Sequence, residues 1–178
     1  MRITGGSLRG RQVKVPGGII RPAMDRMRES VFAVLGDLSG LSFLDLFSGT
    51  GIIALEAASR GAVCIEAVEK DGLKRKILIE NVKISPVRIN CRFMPVELYV
   101  KRAAQPFDII FCDPPFPYKY KWELIQSIAS SILMKEGSRL LLHRPREDFR
   151  DDPSPNLVLE DSREYGRSVV NFFKFNAT

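Results

Sequence analysis

The stretch from Phe43 to Ala62, FLDLFSGTGIIALEAASRGA, constrains the fold more than any other part of the chain. The run Phe43, Leu44, Leu46 and Phe47 is short, apolar and followed at once by glycine, the pattern of a strand buried on both faces of a parallel sheet. Asp45 interrupts that run. A carboxylate in such a strand costs free energy unless something pairs with it, so Asp45 demands a ligand or a backbone donor. Gly49 and Gly51 let the backbone turn sharply and approach a bound molecule, towards which the free N–H groups of the following helix point. Ala54 keeps that helix close to its strand. The layout is that of the G-x-G-x-x-G dinucleotide fingerprint, with Ala54 at the third glycine. The next strand, Val63 to Val68, ends in Glu69, 18 residues beyond Gly51. In such units that strand end places a carboxylate on a pair of ribose hydroxyls. Strand, glycine turn, helix, strand and acid together make a nucleoside site, and the combination outweighs a reading of Asp45 and Glu69 as solvated strand-end acids.

The remaining pattern completes an α/β chain. A helix is predicted over Asp25 to Leu35, ahead of the central strand, and further helices over Leu73 to Lys83, Pro95 to Ala104 and Trp122 to Met134. Strands are predicted at Val87 to Phe93, Ile109 to Cys112 and Arg139 to His143, with a closing pair at Leu157 to Glu160 and Ser168 to Phe175 around Gly166. Alternating strands and helices imply an open, seven-stranded, mostly parallel sheet with helices on both faces and an antiparallel hairpin at its C-terminal edge. With 178 residues the chain is expected to be a single domain, 1–178. Cys64, Cys91 and Cys112 each fall in a strand and lack paired spacing, which suits reduced core thiols and no metal site. No apolar run approaches the roughly 20 residues of a membrane span. A soluble, cytoplasmic monomer is expected.

Charge is unevenly distributed. Residues 1–28 hold seven basic residues, Arg2, Arg9, Arg11, Lys14, Arg21, Arg26 and Arg28, against the single acid Asp25, whereas the other 150 residues are balanced. A basic segment on a neutral body is the electrostatic footprint of a polyanion contact. Residues 1–20 are therefore expected to form a short basic N-terminal extension that contacts a polyanion, which the family resemblance given below makes RNA, with RITGGSLRGRQVKV pairing as a hairpin that carries arginines at its tip.

A second motif, Asp113-Pro114-Pro115-Phe116, ends the fourth strand. Two prolines stiffen the turn and remove two N–H donors, leaving the Asp113 carboxylate and the Pro114 carbonyl as fixed acceptors beside the aromatic face of Phe116. That set fits a planar exocyclic amine, two acceptors for its two hydrogens and a ring on which the base stacks. Hydrogen bonds that pull the amine towards a pyramidal geometry free its lone pair for attack, and a carboxylate can receive the proton, with no metal required. Cys112 reads as a core residue and His143, the single histidine, as structural.

These stretches resemble the RsmD-type 16S ribosomal RNA guanine-N2 methyltransferases, small Rossmann-like enzymes that use S-adenosylmethionine. The resemblance rests on RGR at 9–11, RPAMDRMRESVFAVL at 21–35, LDLFSGTGIIALEAASRGA at 44–62, VEKD at 68–71 and DPPF at 113–116. It implies that Asp45, Phe47, Ser48, Gly49, Thr50, Gly51, Glu69, Lys70, Met94 and Asp113 surround the cofactor, Glu69 on the ribose. It also implies that Asp113 to Phe116 hold the target amine, and that Arg21 to Arg28 close over the cofactor and meet RNA on an assembling small subunit. Ala23 and Met24 stand where the family usually has two threonines. The third strand ends in Phe93, Met94 and Pro95, so adenine recognition falls to backbone near Met94 or to Glu97. DPPF alone is shared with DNA amino-methyltransferases. A DNA or protein amide-nitrogen methyltransferase accounts for both motifs but not for the N-terminal signature, and a non-catalytic RNA-binding assembly factor accounts only for the charge.

Overall fold

The computed structural model describes residues 1–16, 22–150 and 153–177. Its elements run α1 (Pro22–Leu35), β1 (Ser42–Leu46), α2 (Ile52–Ser59), β2 (Cys64–Val68), α3 (Gly72–Val82), β3 (Ile89–Arg92), α4 (Val96–Lys101), β4 (Ile109–Cys112), α5 (Lys121–Ala129), β5 (Arg139–Pro145), β6 (Leu157–Tyr165) and β7 (Ser168–Phe175). One seven-stranded sheet has the order β3-β2-β1-β4-β5-β7-β6. The first five strands are parallel and β7 is antiparallel to both of its neighbours. The chain runs outward from β1 to β3 and then returns to β4 on the other side of β1. This reversal opens a crevice between the C-terminal ends of β1 and β4, where ligands of open α/β sheets bind.

The core forms one layer on each face. Met27, Val31 and Phe32 of α1 and the buried α2 pack with Phe43, Ile65 and Phe111 on one face. Tyr99 and Val100 of α4 and Ile125 and Ile128 of α5 pack with Leu44, Leu46 and Ile110 on the other. In β7, Val170 and Phe172 join the first layer, and Phe173 and Phe175 the second. β7 is therefore buried on both faces and lies inside the sheet, while the largely exposed β6 forms the edge. β6 continues to Tyr165, beyond the predicted Glu160, through an irregularity between Leu159 and Asp161 that keeps it paired with β7. α5 stops at Ala129, short of the predicted Met134. Ser131 Oγ bonds back to the Ile128 carbonyl at 2.7 Å and accepts from Leu133 N–H at 3.2 Å, a local alternative to another helical turn.

The N-terminal residues are not a detached basic arm. Arg2 bridges Gln12, Ile3 and Val13 are buried in the core, and Leu8 packs against it. Gly6 has φ of 74°, and a Cβ there would lie 1.9 Å from the Ser59 carbonyl oxygen, so the segment lies flat on the end of α2. It is also tied in by charge. Glu56, the one acid of the apolar α2, accepts from Thr4 N–H at 2.8 Å and Thr4 Oγ1 at 2.9 Å, and pairs with Arg60 and, at 3.2 Å, with Arg28 Nε. Arg28 is fully buried and also meets Asp25 at 2.5 Å and the Arg2 carbonyl at 3.0 Å. The sequence-based assignment of Arg28 to RNA contact is thereby overturned, because its guanidinium neutralises Glu56 inside the protein.

Candidate active site

The two motifs meet because their strands are neighbours. β1 pairs with β2 on one side and β4 on the other, so Leu46 lies beside both Val68 and Cys112. Glu69 and Asp113 therefore emerge at the same end of the sheet as the glycine turn. A cleft of about 1140 Å³ opens there, lined by Phe47, Glu69, Lys70, Asp71, Gly72 and Lys74 on one side and by Asp113, Pro114, Pro115, Phe116 and His143 on the other, with Met24 of α1 also bordering it. Pockets for one drug-sized ligand run to about 300–1,000 Å³, so this cleft has room for a nucleoside cofactor and a second planar group.

The turn after β1 is held by its own geometry. Phe47 has φ of 63°, the one non-glycine residue in the left-handed region among the described residues, and Gly49 and Gly51 follow at 58° and 82°. At Gly51 a Cβ would lie 2.6 Å from Leu78 Cδ1, so glycine is needed for close packing on α3. At Gly49 the nearest atom would be 4.0 Å away, so that glycine is required by its φ and leaves open space above it. Asn81 of α3 clamps the turn from behind, donating to the Thr50 carbonyl at 2.9 Å and the Lys14 carbonyl at 3.0 Å.

Asp45 lies beneath this turn and not in the cleft wall. It is 1% exposed and accepts from Ser48 Oγ at 2.5 Å and Ala54 N–H at 3.2 Å. Burial raises its carboxyl from 3.8 to about 7, and the Asp113 and Glu69 charges push in the same direction, against the hydrogen bonds from Ser48 and Ala54. Asp45 braces the turn and adds a titratable charge below it.

Glu69 faces the cleft. Its Oε2 accepts from Gly49 N–H at 2.8 Å and its Oε1 from Asp71 N–H at 2.8 Å. A carboxylate offers about four lone-pair sites, so each oxygen keeps one free, and the pair fits the two hydroxyls of a ribose. Lys70 is exposed at the rim. Met94 does not line this cleft; it borders a separate depression with Glu66, Arg92 and Tyr99. Glu97, the other residue suggested for the adenine, accepts a hydrogen bond from Tyr118, whose ring meets Phe47 edge-on at 5.4 Å. This aromatic pair is continuous with the cleft wall through Phe47, whereas Met94 is half-buried against the core layer on the α4 and α5 face.

On the opposite side Asp113 N–H donates to the Leu46 carbonyl at 3.2 Å, which anchors the Asp-Pro-Pro-Phe loop to β1. The Pro115 carbonyl accepts from Tyr118 N–H at 2.8 Å, while among the described residues no donor reaches the Pro114 carbonyl. Phe116 is 45% exposed and lines the cleft, which leaves a ring face available for a base to stack on. Asp113 Oδ1 lies 2.8 Å from His143 Nδ1, and the His143 ring meets Phe116 edge-on at 5.5 Å. On sequence alone His143 is a structural residue. Only the adjacency of β4 and β5 brings it to Asp113, although its position at the end of a strand beside the motif was a usable signal. Asp71, Gly72 and Lys74 are further cleft residues that sequence reasoning left out, whereas Met24 falls in the Arg21 to Arg28 segment expected to close over the cofactor. Among the described residues no cluster of side chains could hold a metal ion.

Of the basic residues, Arg2, Arg9, Arg11 and Arg26 are exposed. Lys14 is exposed and paired with Glu80. Arg21 lies outside the described residues.

The sheet order, the glycine turn with Glu69 and the acceptor loop on β4 are those of the Rossmann-like methyltransferase fold. The chain belongs to the family described as "conserved hypothetical protein 95", whose profile matches residues 1–174. It is 29% identical to "Putative rRNA methyltransferase YlbH" of Bacillus subtilis over 98% of each chain. It is 36% identical to ribosomal RNA small subunit methyltransferase D of Escherichia coli over 65% of this chain and 60% of that one. Among solved structures, "Putative methyltransferase yhhF from Escherichia coli" superposes with a TM-score of 0.88 at 26% identity, covering 100% of this chain and 99% of the other.

Proposed function

We propose that this protein transfers a methyl group from S-adenosylmethionine to the exocyclic N2 amine of a guanine in 16S ribosomal RNA, on an assembling small subunit in the cytoplasm, and that it acts as a monomer. The observation that carries the proposal is the convergence of Glu69 and the Asp113 to Phe116 loop on one cleft. In this reading Glu69 binds the ribose hydroxyls and the turn from Phe47 to Gly51 borders the methionine portion. S-adenosylmethionine supplies a methyl group made electrophilic by its sulfonium charge. The Asp113 carboxylate and the Pro114 carbonyl accept the two hydrogens of the target amine, Phe116 stacks on the base, and Asp113 takes up the proton that the amine must lose.

The relatives named as rRNA methyltransferases support an RNA substrate. So does the exposure of Arg2, Arg9, Arg11 and Arg26. A second basic surface supports it as well. Residues 70–92 hold seven basic residues against two acidic ones. Lys70 and Lys74 stand at the cleft rim, and Arg75, Lys76 and Lys83 continue along α3. Phosphates along this surface would set the register of the RNA, while the base is read in the cleft.

The test is incubation of the protein with methyl-labelled cofactor and 16S RNA, 30S particles or genomic DNA from a strain lacking it, followed by mass spectrometry of nucleosides and proteins. One N2-methylguanosine is expected. Label found only in DNA adenine or in protein amides would refute the proposal.

A further inference from the structure

We propose that His143 is a positioning residue that holds the Asp113 carboxylate in the orientation its work on the substrate amine requires. The inference deepens the function proposed above and rests on it. A carboxylate oxygen can only accept, so the 2.8 Å contact between His143 Nδ1 and Asp113 Oδ1 places the ring hydrogen on Nδ1. This bond occupies Oδ1. Asp113 lines the cleft, and its Oδ2 makes no hydrogen bond among the described residues, so Oδ2 is the oxygen left for the amine.

The cost of this arrangement is visible at the far side of the ring. His143 is 3% exposed, and its Nε2 is buried without a hydrogen-bond partner. In the Nδ1–H tautomer Nε2 is a bare lone pair, an unsatisfied acceptor that an apolar residue on β5 would not create. Buried unpaired polar atoms are rare and call for an explanation. Here the explanation is the other nitrogen. The neighbouring polar side chain of β5, Arg144, is satisfied by Asn171 Oδ1 at 2.6 Å and the Pro145 carbonyl at 2.9 Å, and the other unpaired buried atom of the strand, Arg139 Nε, lies at its opposite end, 3.7 Å from the Glu160 carboxylate. Phe116 packs edge-on against the same ring, so one imidazole braces both the acceptor and the stacking platform of the loop. A carboxylate on a proline-stiffened loop would otherwise still rotate about its own side-chain torsions, and small misplacements of a reacting group are costly.

Two substitutions separate positioning from mere packing. The Asn side-chain amide can place a donor near the site of Nδ1, whereas the Gln amide reaches towards Nε2. His143→Asn should retain kcat within about threefold of the wild type, while His143→Gln and His143→Ala should lose about 10- to 100-fold, the scale of second-layer support of a reacting group. KM for S-adenosylmethionine should stay constant in all three, and His143→Ala added to Asp113→Ala should cause no further loss.

A readout independent of turnover comes from composition. His143 is the only histidine, so untagged protein labelled with 15N-histidine gives a single pair of ring nitrogens. Nδ1 should be protonated and Nε2 bare in the free protein, and Asp113→Ala should release the ring to the Nε2–H form. An Nε2–H tautomer in the wild type would overturn the proposal, as would equal activity of the Asn and Gln variants in an enzyme whose wild type is active. A wild type inactive on both 16S RNA and 30S particles would overturn the function itself, and the role of His143 with it.

Discussion

Replacing Asp45 with Asn should make the free protein more stable at pH 8 and worse at holding its cofactor. Asp45 is 1% exposed, and burial raises its carboxyl from 3.8 to about 7. At about 1.4 kcal/mol for each pH unit of displacement, carrying this charge in the folded state costs about 4 kcal/mol. The sign follows from proton counting. Between pH 4 and 7 the folded protein keeps a proton that the unfolded chain has released, so stability declines as pH rises through that window and levels off above about pH 7. Asn carries no charge and removes the decline. It also exchanges a charged acceptor of the Ser48 and Ala54 bonds for a neutral one, at about 1 kcal/mol. A net gain of about 3 kcal/mol at pH 8 is expected, with little or no gain at pH 4. Urea unfolding of both proteins at pH 4, 6 and 8 measures it. The ionised form has a use, because a cation above the turn favours it. Affinity for S-adenosylmethionine should therefore rise from pH 6 to 8 in the wild type and stay flat in Asp45→Asn, and calorimetry in two buffers should detect proton release only in the wild type. Parallel stability profiles for the two proteins across this range would refute the reasoning.

Four further outcomes follow from the geometry. Asp113→Ala should lower single-turnover methyl transfer by at least about 100-fold with little change in cofactor affinity, while Asp113→Asn distinguishes hydrogen-bond acceptance, which it keeps, from proton uptake, which it loses. Glu69→Gln should weaken S-adenosylmethionine binding by about 2 kcal/mol in calorimetry, since an amide cannot accept on both sides from Gly49, Asp71 and two hydroxyls. Glu56→Ala leaves the fully buried Arg28 with Asp25 as its one remaining carboxylate partner and should cost about 3–5 kcal/mol by urea unfolding; a loss under about 1 kcal/mol would mean that Asp25 alone compensates Arg28. Replacing Arg9 and Arg11 together with Ala should leave the unfolding midpoint unchanged and reduce the slope of log affinity for single-stranded RNA against log salt by about 1.4, or about 0.7 for each lost phosphate contact. An unchanged slope would remove these two arginines from the RNA surface.

The elements whose signal is local are legible in the chain alone. The strand-turn-helix around Gly49 and Gly51, the acid at Glu69 and the stiff Asp113 to Phe116 loop were legible because each depends on residues adjacent in the chain: periodicity, glycine φ and proline restriction. Alternation of strands and helices also implied the parallel sheet and its final hairpin, since few connections between such elements are sterically allowed. The meetings between distant segments, by contrast, exist only in the folded molecule. Formal charge put Arg28 among the RNA-binding residues, yet Glu56 lies 28 positions away and draws it inside, because a buried carboxylate must be neutralised by whatever cation the packing brings near. His143 stands 30 positions from Asp113, and nothing in the chain between them reports a 2.8 Å contact that depends on the pairing of β4 with β5. Asp45 and Glu69 were both read as ligands of the bound molecule, and the fold separates them. Side chains alternate across a strand, so Asp45 within β1 turns under α2, whereas Glu69, just past the end of β2, opens into the cleft.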